Sequence, residues 1–268
     1  MTLSAYIEGI GLLGPGLSNW STSQAMLSGQ QPYLPQKTVL PSPAILPAAE
    51  RRRCGAIVKL TLATGLEAIA AAGLDAVSLP TVFSASGGDG ETCHTICETL
   101  ATAERQISPT RFHNSVHNAA AGYWSIATHA MATSSVLSAY DASFCAGLLE
   151  AATQVTVDGT RTVLLACDTP YPEPLQGARP LLDAFGIALV LAPQPSEKAL
   201  VKITIGLTSA GAGKFDDPAL ENLRVAIPAA RGLPLLRALL RAQAQRQEQT
   251  VMLDYLENTR LAVVVTPC

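Results

Sequence analysis

A turn from a strand of small residues into an apolar helix, near the middle of the chain, constrains the fold more than any other feature. The stretch from His113 to Glu150 predicts an apolar helix over about 118–131, a strand over about 134–139, a sharp turn at Tyr140-Asp141 and a second apolar helix. α/β enzymes place a nucleophile at such a turn, because the exposed amides of the helix's first turn stabilise negative charge. This chain has Asp141 there.

The composition leaves two interpretations of the surface open. The 268 residues allow one large α/β domain or two small ones, and they are 48% hydrophobic but only 15% charged. This fits either an Ala/Leu/Val-rich α/β protein or a protein whose surface meets a partner. The net charge is −3 and the longest basic run is Arg51-Arg52-Arg53, so we expect no nucleic-acid partner.

The apolar segments and the cysteines predict a cytoplasmic protein without a membrane span. No apolar run reaches the roughly 18 residues that a membrane-spanning helix needs, and Glu8 interrupts the first apolar stretch, so we expect no signal peptide. The six cysteines are scattered through predicted helices and strands, which is typical of reduced and mostly buried thiols.

Apolar runs, glycines and prolines predict the remaining elements. The predicted strands are 6–13, 81–86, 162–168, 185–192, an alternating edge strand at 200–205, and 261–265. The predicted helices are 20–27, 53–72, 91–106, 218–241 with a break at Gly232 and Pro234, and 243–258. A proline-rich surface connection is predicted over 30–49.

Two motifs are weaker than their residue types suggest. Cys93, Cys97, His113 and His117 have nearly the spacing of a zinc finger, but the cysteines fall inside a predicted helix and the histidines in a loop. Buried thiols and loop histidines that bond to the backbone are the favoured interpretation. The run Gly87-Gly88-Asp89-Gly90 lacks the remaining residues of a nucleotide-binding motif, so we expect no nucleotide site.

Candidate nucleophiles other than Asp141 lie in unfavourable positions. Cys145 falls one turn inside a predicted helix and Cys167 within a predicted buried strand, where a thiol normally packs. Ser143 lies near the turn but outside a G-x-S-x-G motif, so a Ser/His/Asp hydrolase is a weak interpretation.

Five segments, in order along the chain, resemble the N-terminal half of the β-ketoacyl-acyl carrier protein synthases, condensing enzymes with the thiolase fold. The opening YIEGIGLLGPGLSNW resembles the family's first strand and helix, RRRCGAIVKLTLATGLEAIAAAGLD its second helix, and VFSASGGDG the following strand and glycine turn. The segment ISPTRFHNSVHNAAAGYWSI is similar to the family segment ending N-x-x-A-G-x-x-x-I, and ARPLLDAFGIALVLAP to its Arg-Pro-Phe-Asp block. The resemblance covers about residues 4–206.

The resemblance implies that the family's catalytic residues are absent. When the family segment is aligned without gaps from Asn118 onward, the family's nucleophilic cysteine falls on Asp141. A carboxylate does not replace a thiolate as acyl acceptor. The family's two active-site histidines lie in C-terminal motifs that this chain lacks. Its own four histidines all precede the turn: His94, His113, His117 and His129. We therefore expect no catalytic residue, no cofactor, no metal and no condensation by the chain alone.

Inactive relatives within the family, the chain-length factors, pair with an active synthase and help to shape its acyl tunnel. They usually carry glutamine at the nucleophile position, so the aspartate and the shorter C-terminal part are departures. The chain resembles the short ketoacyl synthase-like subunits of aryl polyene biosynthesis, a polyketide or fatty-acid type of pathway. The implied partners are an active β-ketoacyl synthase, in a heterodimer, and through it an acyl carrier protein. A small acyl-thioester hydrolase or decarboxylase that uses Asp141 as general base, and a carrier-protein docking scaffold, remain alternatives.

The fold that the resemblance implies is α/β and thiolase-like: a five-stranded mixed sheet with helices on both faces, truncated relative to full ketosynthases. Residues 1–206 would form the synthase-like half, and residues 207–268 a reduced helical part with a final strand. The helix that carries Leu235, Leu236, Leu239 and Leu240 would present an apolar face that needs a partner.

In the thiolase fold the segment before the nucleophile helix and the strand into the turn lie at the dimer interface. The corresponding ranges are 114–124 and 134–139, and the expected partner-interface residues are Asn114, His117, Asn118, Tyr123, Trp124, Ser134, Ser135 and Ser138. Small residues leave a strand edge open to pairing. Tyr123 and Trp124 are of the type enriched at interface centres, with packing inside their own subunit as the alternative. Asp141 is expected to cap the helix that follows it.

Overall fold

The computed structural model describes residues 2–268 and contains one mixed sheet. Its strands are β1 (Leu3–Leu13), β2 (Thr81–Ser84), β3 (Ser134–Leu137), β4 (Thr162–Asp168), β5 (Phe185–Ala192), β6 (Val201–Thr208), β7 (Gln249–Leu256) and β8 (Thr259–Pro267). Their order in the sheet is β3-β2-β4-β5-β1-β6-β8-β7. The pairs of β2 with β3 and with β4 are parallel, and the other pairs are antiparallel.

Helices connect the strands. They are α1 (Trp20–Leu27), α2 (Ala48–Arg53), α3 (Ala56–Ala72), α4 (Gly90–Ala101), α5 (Pro109–Asn114), α6 (Ala119–Thr128), α7 (Ser143–Asp158), α8 (Leu175–Ala178), α9 (Pro218–Ala226) and α10 (Leu233–Gln245). Short 3₁₀ turns lie at Ala76–Ser78, Tyr140–Ala142 and Pro228–Gly232. Within residues 2–268, no helix combines the length and the apolar character that a membrane crossing requires.

The prediction of five strands is wrong, because the sheet has eight and continues past β1 through β6, β8 and β7. The segment that forms β7 was expected to be helical. It instead pairs antiparallel with β8 through a two-residue turn at Glu257-Asn258, so its neighbour in the hairpin decides its conformation. Because β8 covers its outer side, β6 is not the edge strand that its alternation suggested.

Helices on both faces of the sheet are confirmed. Alternate residues of β4 belong to different cores: Leu164 and Ala166 pack with residues of α7 and α10, whereas Val163, Leu165 and Cys167 pack with residues of α3 and α6. Burial on both faces explains why β4 and β5 are continuous apolar runs, and why their predicted boundaries are confirmed.

The apolar face of α10 is covered by the chain itself. Leu235, Leu236 and Leu239 are fully buried in the same core as α7 and the C-terminal strands. The expectation that this face needs a partner is therefore wrong. Residues 207–268 contribute two helices to this core and two strands to the common sheet.

Candidate functional site

The predicted sharp turn between β3 and α7 is confirmed, and side-chain hydrogen bonds stabilise it. Tyr140 adopts a left-handed conformation with φ of 52°, which is uncommon for a residue with a side chain. The Ser143 hydroxyl donates to the carbonyl of Tyr140 at 2.7 Å and accepts from the amide of Ala139 at 3.0 Å. Because Ser143 is buried and holds the turn, its hydroxyl is not placed as a nucleophile.

Two arginines bind the carboxylate of Asp141. Nη2 of Arg179 donates to Oδ1 at 2.9 Å, and Nη2 of Arg231 donates to Oδ2 at 3.0 Å. No side chain caps the first turn of α7 by a hydrogen bond. The expectation that Asp141 acts as a helix cap is therefore wrong: within the described part of the chain, its hydrogen-bond donors are guanidinium groups that come from two other segments.

Arg179 and the turn that carries Arg231 each make a further contact. Arg179 follows α8, and its guanidinium carbon lies 3.5 Å from the centre of the Tyr140 ring, a cation–π contact. Arg231 belongs to the turn Pro228–Gly232, in which the amide of Ala229 donates to Oδ2 of Asp168 at 2.8 Å. These contacts bring two distant parts of the chain to the elbow, the turn Tyr140–Ala142 between β3 and α7.

Asp168, at the end of β4, ties the loops around the elbow together. Its Oδ1 accepts from both the amide and the hydroxyl of Ser86 at 2.7 Å, in addition to the bond from Ala229. Burial raises the pKa of the Asp168 carboxyl above its ordinary value, although these donors and the nearby Arg179 oppose the rise. The carboxyl therefore serves as an anchor for the Ser86 loop and for the turn that carries Arg231.

The two buried thiols pack as expected rather than react. Cys145 and Cys167 are both almost fully buried. Burial raises the pKa of the Cys145 thiol strongly and that of Cys167 to about 12, so both are protonated thiols at neutral pH.

The cysteines and histidines with zinc-like spacing do not converge on a metal site. Cys93 and Cys97 lie exposed on α4, His113 lies in α5, and His117 lies between α5 and α6. Residues 2–268 contain no group of three or more His, Cys, Asp or Glu side chains with the geometry to hold a metal ion. His94 instead contacts Glu98 at 3.2 Å on the same helix.

The expected interface residues separate into buried and exposed sets. Trp124 is 1% exposed and packs edge-on against Phe83 with ring centres 6.2 Å apart, and Tyr123 is 3% exposed and donates to Oδ1 of Asn114. Of the two alternatives for these rings, packing inside their own subunit is the one observed, and Asn114 is buried with them. The other five expected interface residues are exposed or half-buried: His117, Asn118, Ser134, Ser135 and Ser138.

A narrow cavity lies between α3, the carboxyl ends of β2 and β4, and the segment that joins α5 to α6. Its lining includes Thr61, Phe83, His117, Val136 and Cys167, and its volume is about 20 Å³. That space holds about one water molecule. The cavity is too small for an acyl chain.

Sequence reasoning found Asp141 but missed Arg179 and Arg231. Arg179 stands within the segment that resembles the family's Arg-Pro-Phe-Asp block, which is a signal of position but not of its partner. Arg231 lies next to the predicted helix break at Gly232 and carries no motif. The two arginines are 38 and 90 positions from Asp141, so no local pattern connects them.

A sequence-family model matches most of the chain and agrees with its fold. The model described as "Beta-ketoacyl synthase, N-terminal domain" matches residues 20–252. Among curated protein sequences, none matches the chain.

Several solved structures share the fold along almost the whole chain. A chain of the ketosynthase ApeO in complex with its chain length factor ApeC, from Xenorhabdus doucetiae, superimposes with a TM-score of 0.72 at 22% identity, over 97% of this chain and 99% of that one. A chain of the complex AntDE:AntF, described as a type II PKS acyl-carrier protein with its ketosynthase, gives 0.74 at 12% identity, over 100% of both chains. The ishigamide ketosynthase/chain length factor gives 0.67 at 14% identity, over 99% of both chains. These likenesses show a thiolase-like fold.

Proposed function

The chain belongs to the β-ketoacyl synthase family, N-terminal domain type, and we propose that it is a non-catalytic, chain-length-factor-type subunit that pairs with an active β-ketoacyl synthase. The pair would extend acyl chains carried by an acyl carrier protein, and the partner's nucleophile would do the chemistry. The resemblance to short ketoacyl synthase-like subunits favours aryl polyene biosynthesis as the pathway, and the scattered cysteines favour the cytoplasm as the compartment.

The observation that carries this proposal is the state of Asp141. At the position where the sequence resemblance places the family's nucleophilic cysteine, this chain has a carboxylate with one guanidinium group on each oxygen. A carboxylate whose two oxygens each accept from a guanidinium group is a poor nucleophile, because acylating an oxygen removes the charge and breaks its ion pair. The elbow thus keeps the shape of a strand-to-helix turn but carries no reactive nucleophile.

An open sheet edge and an exposed apolar surface support pairing. β3 is the first strand of the sheet, so one of its sides is unpaired. Helix α4, which contacts α5, has no residue that is buried within the protomer. Close by along the chain are Phe112, 65% exposed, and Met131, 91% exposed. Unpaired strand edges and exposed apolar groups of this kind are normally covered by a partner.

The alternative of an acyl-thioester hydrolase or decarboxylase that uses Asp141 as general base has less support. Both carboxylate oxygens accept from arginines, and among the described residues no histidine bonds to this carboxylate. A carrier-protein docking scaffold without a synthase would not need the open edge of β3.

Reconstitution tests the proposal. The chain, a complete β-ketoacyl synthase encoded with it, and acyl- and malonyl-carrier protein are mixed in all combinations, and the carrier proteins are followed by intact-protein mass spectrometry. We expect elongation only when chain and synthase are both present, and none when the synthase's nucleophilic cysteine is replaced by alanine. A covalent acyl adduct on this chain, or turnover of acyl-carrier protein by the chain alone, would refute the non-catalytic role.

A further inference from the structure

The elbow carries more positive charge and more hydrogen-bond donors than Asp141 uses. Two guanidinium groups share one carboxylate, each through a single bond from Nη2. Nε of Arg231 is buried and has no hydrogen-bond partner among the described residues. Buried donors without an acceptor are rare, because a desolvated N–H that makes no hydrogen bond destabilises the protein. The arginine pair therefore has hydrogen-bonding capacity that Asp141 leaves unused.

The guanidinium of Arg179 and the turn that carries Arg231 each have a contact that does not involve Asp141. The guanidinium of Arg179 stacks on the Tyr140 ring at 3.5 Å. Arg231 lies in a turn that the bond from the Ala229 amide to Asp168 anchors to β4. Shortening Asp141 to alanine would thus remove the anion and leave the Arg179 guanidinium and the turn that carries Arg231 in position.

The carboxylate is the outermost member of the cluster. The Asp141 side chain is 40% exposed, whereas the side chains of Arg179 and Arg231 are each 17% exposed. Removal of the Asp141 side chain would therefore leave the two guanidinium groups more open to solvent.

We propose that Arg179 and Arg231 form a binding site for a small carboxylate anion, and that the chain's own Asp141 occupies this site and closes it. Guanidinium groups bind carboxylates through charge-assisted hydrogen bonds whose planar geometry an ammonium does not reproduce. The side chain of Asp141 ends in a group that is chemically an acetate, which makes acetate and formate the matching ligands. This inference goes beyond the proposed function and does not require a partner subunit.

Thermal unfolding of the full chain with Asp141→Ala, titrated with sodium formate or sodium acetate, tests the proposal. Sodium chloride keeps the ionic strength constant. A ligand that binds only the folded state raises Tm with its concentration, by about 2 to 4 °C at a concentration about five times its dissociation constant. We expect that rise for Asp141→Ala and none for the wild-type chain, whose site is already filled.

Matched variants separate the site from a general salt effect. The double variant Asp141→Ala/Arg231→Gln should lose the rise, and Asp158→Ala, which removes an exposed carboxylate at the far end of α7, should never show it. Equal shifts in the wild-type chain and in Asp141→Ala, or none in either, would overturn the proposal.

Folding of the variants does not limit the test. Asp141→Ser serves as a second shortened variant. If both variants unfold without added anions, refolding in formate or acetate but not in chloride supports the site, and failure to refold in any of these salts counts against it. Broadening of the ¹³C line of labelled formate by the folded variant, absent with the double variant, gives a second readout of binding.

Discussion

Arg231 donates a hydrogen bond through Nη2 to Oδ2 of Asp141 at 3.0 Å, across 90 positions of the chain. The contact joins the 3₁₀ turn before α10 to the turn between β3 and α7. Because Arg179 binds the other oxygen, the elbow is electrostatically coupled to two further segments rather than capped locally.

Removing this carboxylate should destabilise the chain modestly. Asp141→Ala leaves two arginines close together without their shared anion. The Asp141 side chain is 40% exposed, so solvent screens the loss, and we expect about 1 kcal/mol, or a Tm lower by about 2 to 4 °C. Differential scanning calorimetry at low salt measures it. The control Asp158→Ala should leave Tm within about 1 °C, and a Tm of Asp141→Ala equal to that of the wild-type chain would contradict the ion pairs.

A cysteine at position 141 should react with alkylating agents but should not support thioester condensation. Arg179 and Arg231 lie beside position 141. In Asp141→Cys, both arginines and the start of α7 favour the thiolate, so its pKa should fall below the usual value of about 8.5. Iodoacetamide at pH 7 followed by peptide mass spectrometry should show faster labelling than at the exposed Cys97.

The additional change Arg231→Met should slow the alkylation of that new thiol, which provides the matched control. Condensation should remain absent in both variants, since the histidine motifs of the family are missing from the sequence. Labelling no faster than at Cys97 would show that the arginines do not act on the elbow as described.

The buried carboxylate of Glu8 should make the chain sensitive to acid. The Glu8 side chain, 1% exposed within β1, accepts from Nε of Arg161 at 2.7 Å and from the Ser196 hydroxyl at 2.5 Å. Burial raises the pKa of Glu8, but these hydrogen bonds outweigh it and hold the pKa below its ordinary value. Because the folded-state pKa is depressed, this stabilisation is present above the unfolded-state value of about 4.3 and is lost as pH falls through the folded-state pKa.

Arg161→Met should therefore cost stability at neutral pH and less in acid. Guanidinium chloride unfolding at pH 7 should show a loss of about 2–3 kcal/mol, below the range for fully buried pairs because the Arg161 side chain is 41% exposed. The deficit should shrink at pH 4.5, where the unpaired Glu8 takes up a proton, and Glu8→Gln/Arg161→Met should recover part of it. The exposed Arg52→Met serves as control. A deficit that does not change with pH would contradict this role of Glu8.

Strong local patterns predicted much of the fold. The bounds of β4 and β5 follow from unbroken apolar runs between turn residues, and Gly73 ends α3 in the left-handed conformation that the sequence suggests. The segment that forms β7 was taken for a helix, because Gln249–Leu256 mixes good helix formers with β-branched residues and only its pairing with β8 decides the outcome.

Of the candidate site, only Asp141 was predictable from the sequence. Asp141 follows from the strand-to-helix turn, whereas its partners depend on how loops from 38 and 90 positions away pack over that turn. The interface prediction drew on residue types as well. Tyr123 and Trp124 have the composition of an interface centre, but they are buried within the protomer by the packing of α6 onto α3 and β2, which composition does not report.

Pairing with an active synthase should depend on the surface around α5, next to the predicted interface range 114–124. Phe112, 65% exposed on α5, is the largest exposed apolar side chain next to the predicted interface range. Phe112→Asp should weaken the complex about 10- to 100-fold, as expected when a charge is placed at an interface hot spot. Leu207→Asp, at a similarly exposed apolar residue of β6, is the matched control and should leave the affinity unchanged.

The most direct test of the account is multi-angle light scattering on the chain co-expressed and co-purified with a complete β-ketoacyl synthase encoded beside it. We expect a single species with the summed mass of one copy of each chain. Phe112→Asp should dissociate this complex, and Leu207→Asp should leave it intact. A stable, monodisperse monomer of this chain that elutes apart from the synthase would contradict it.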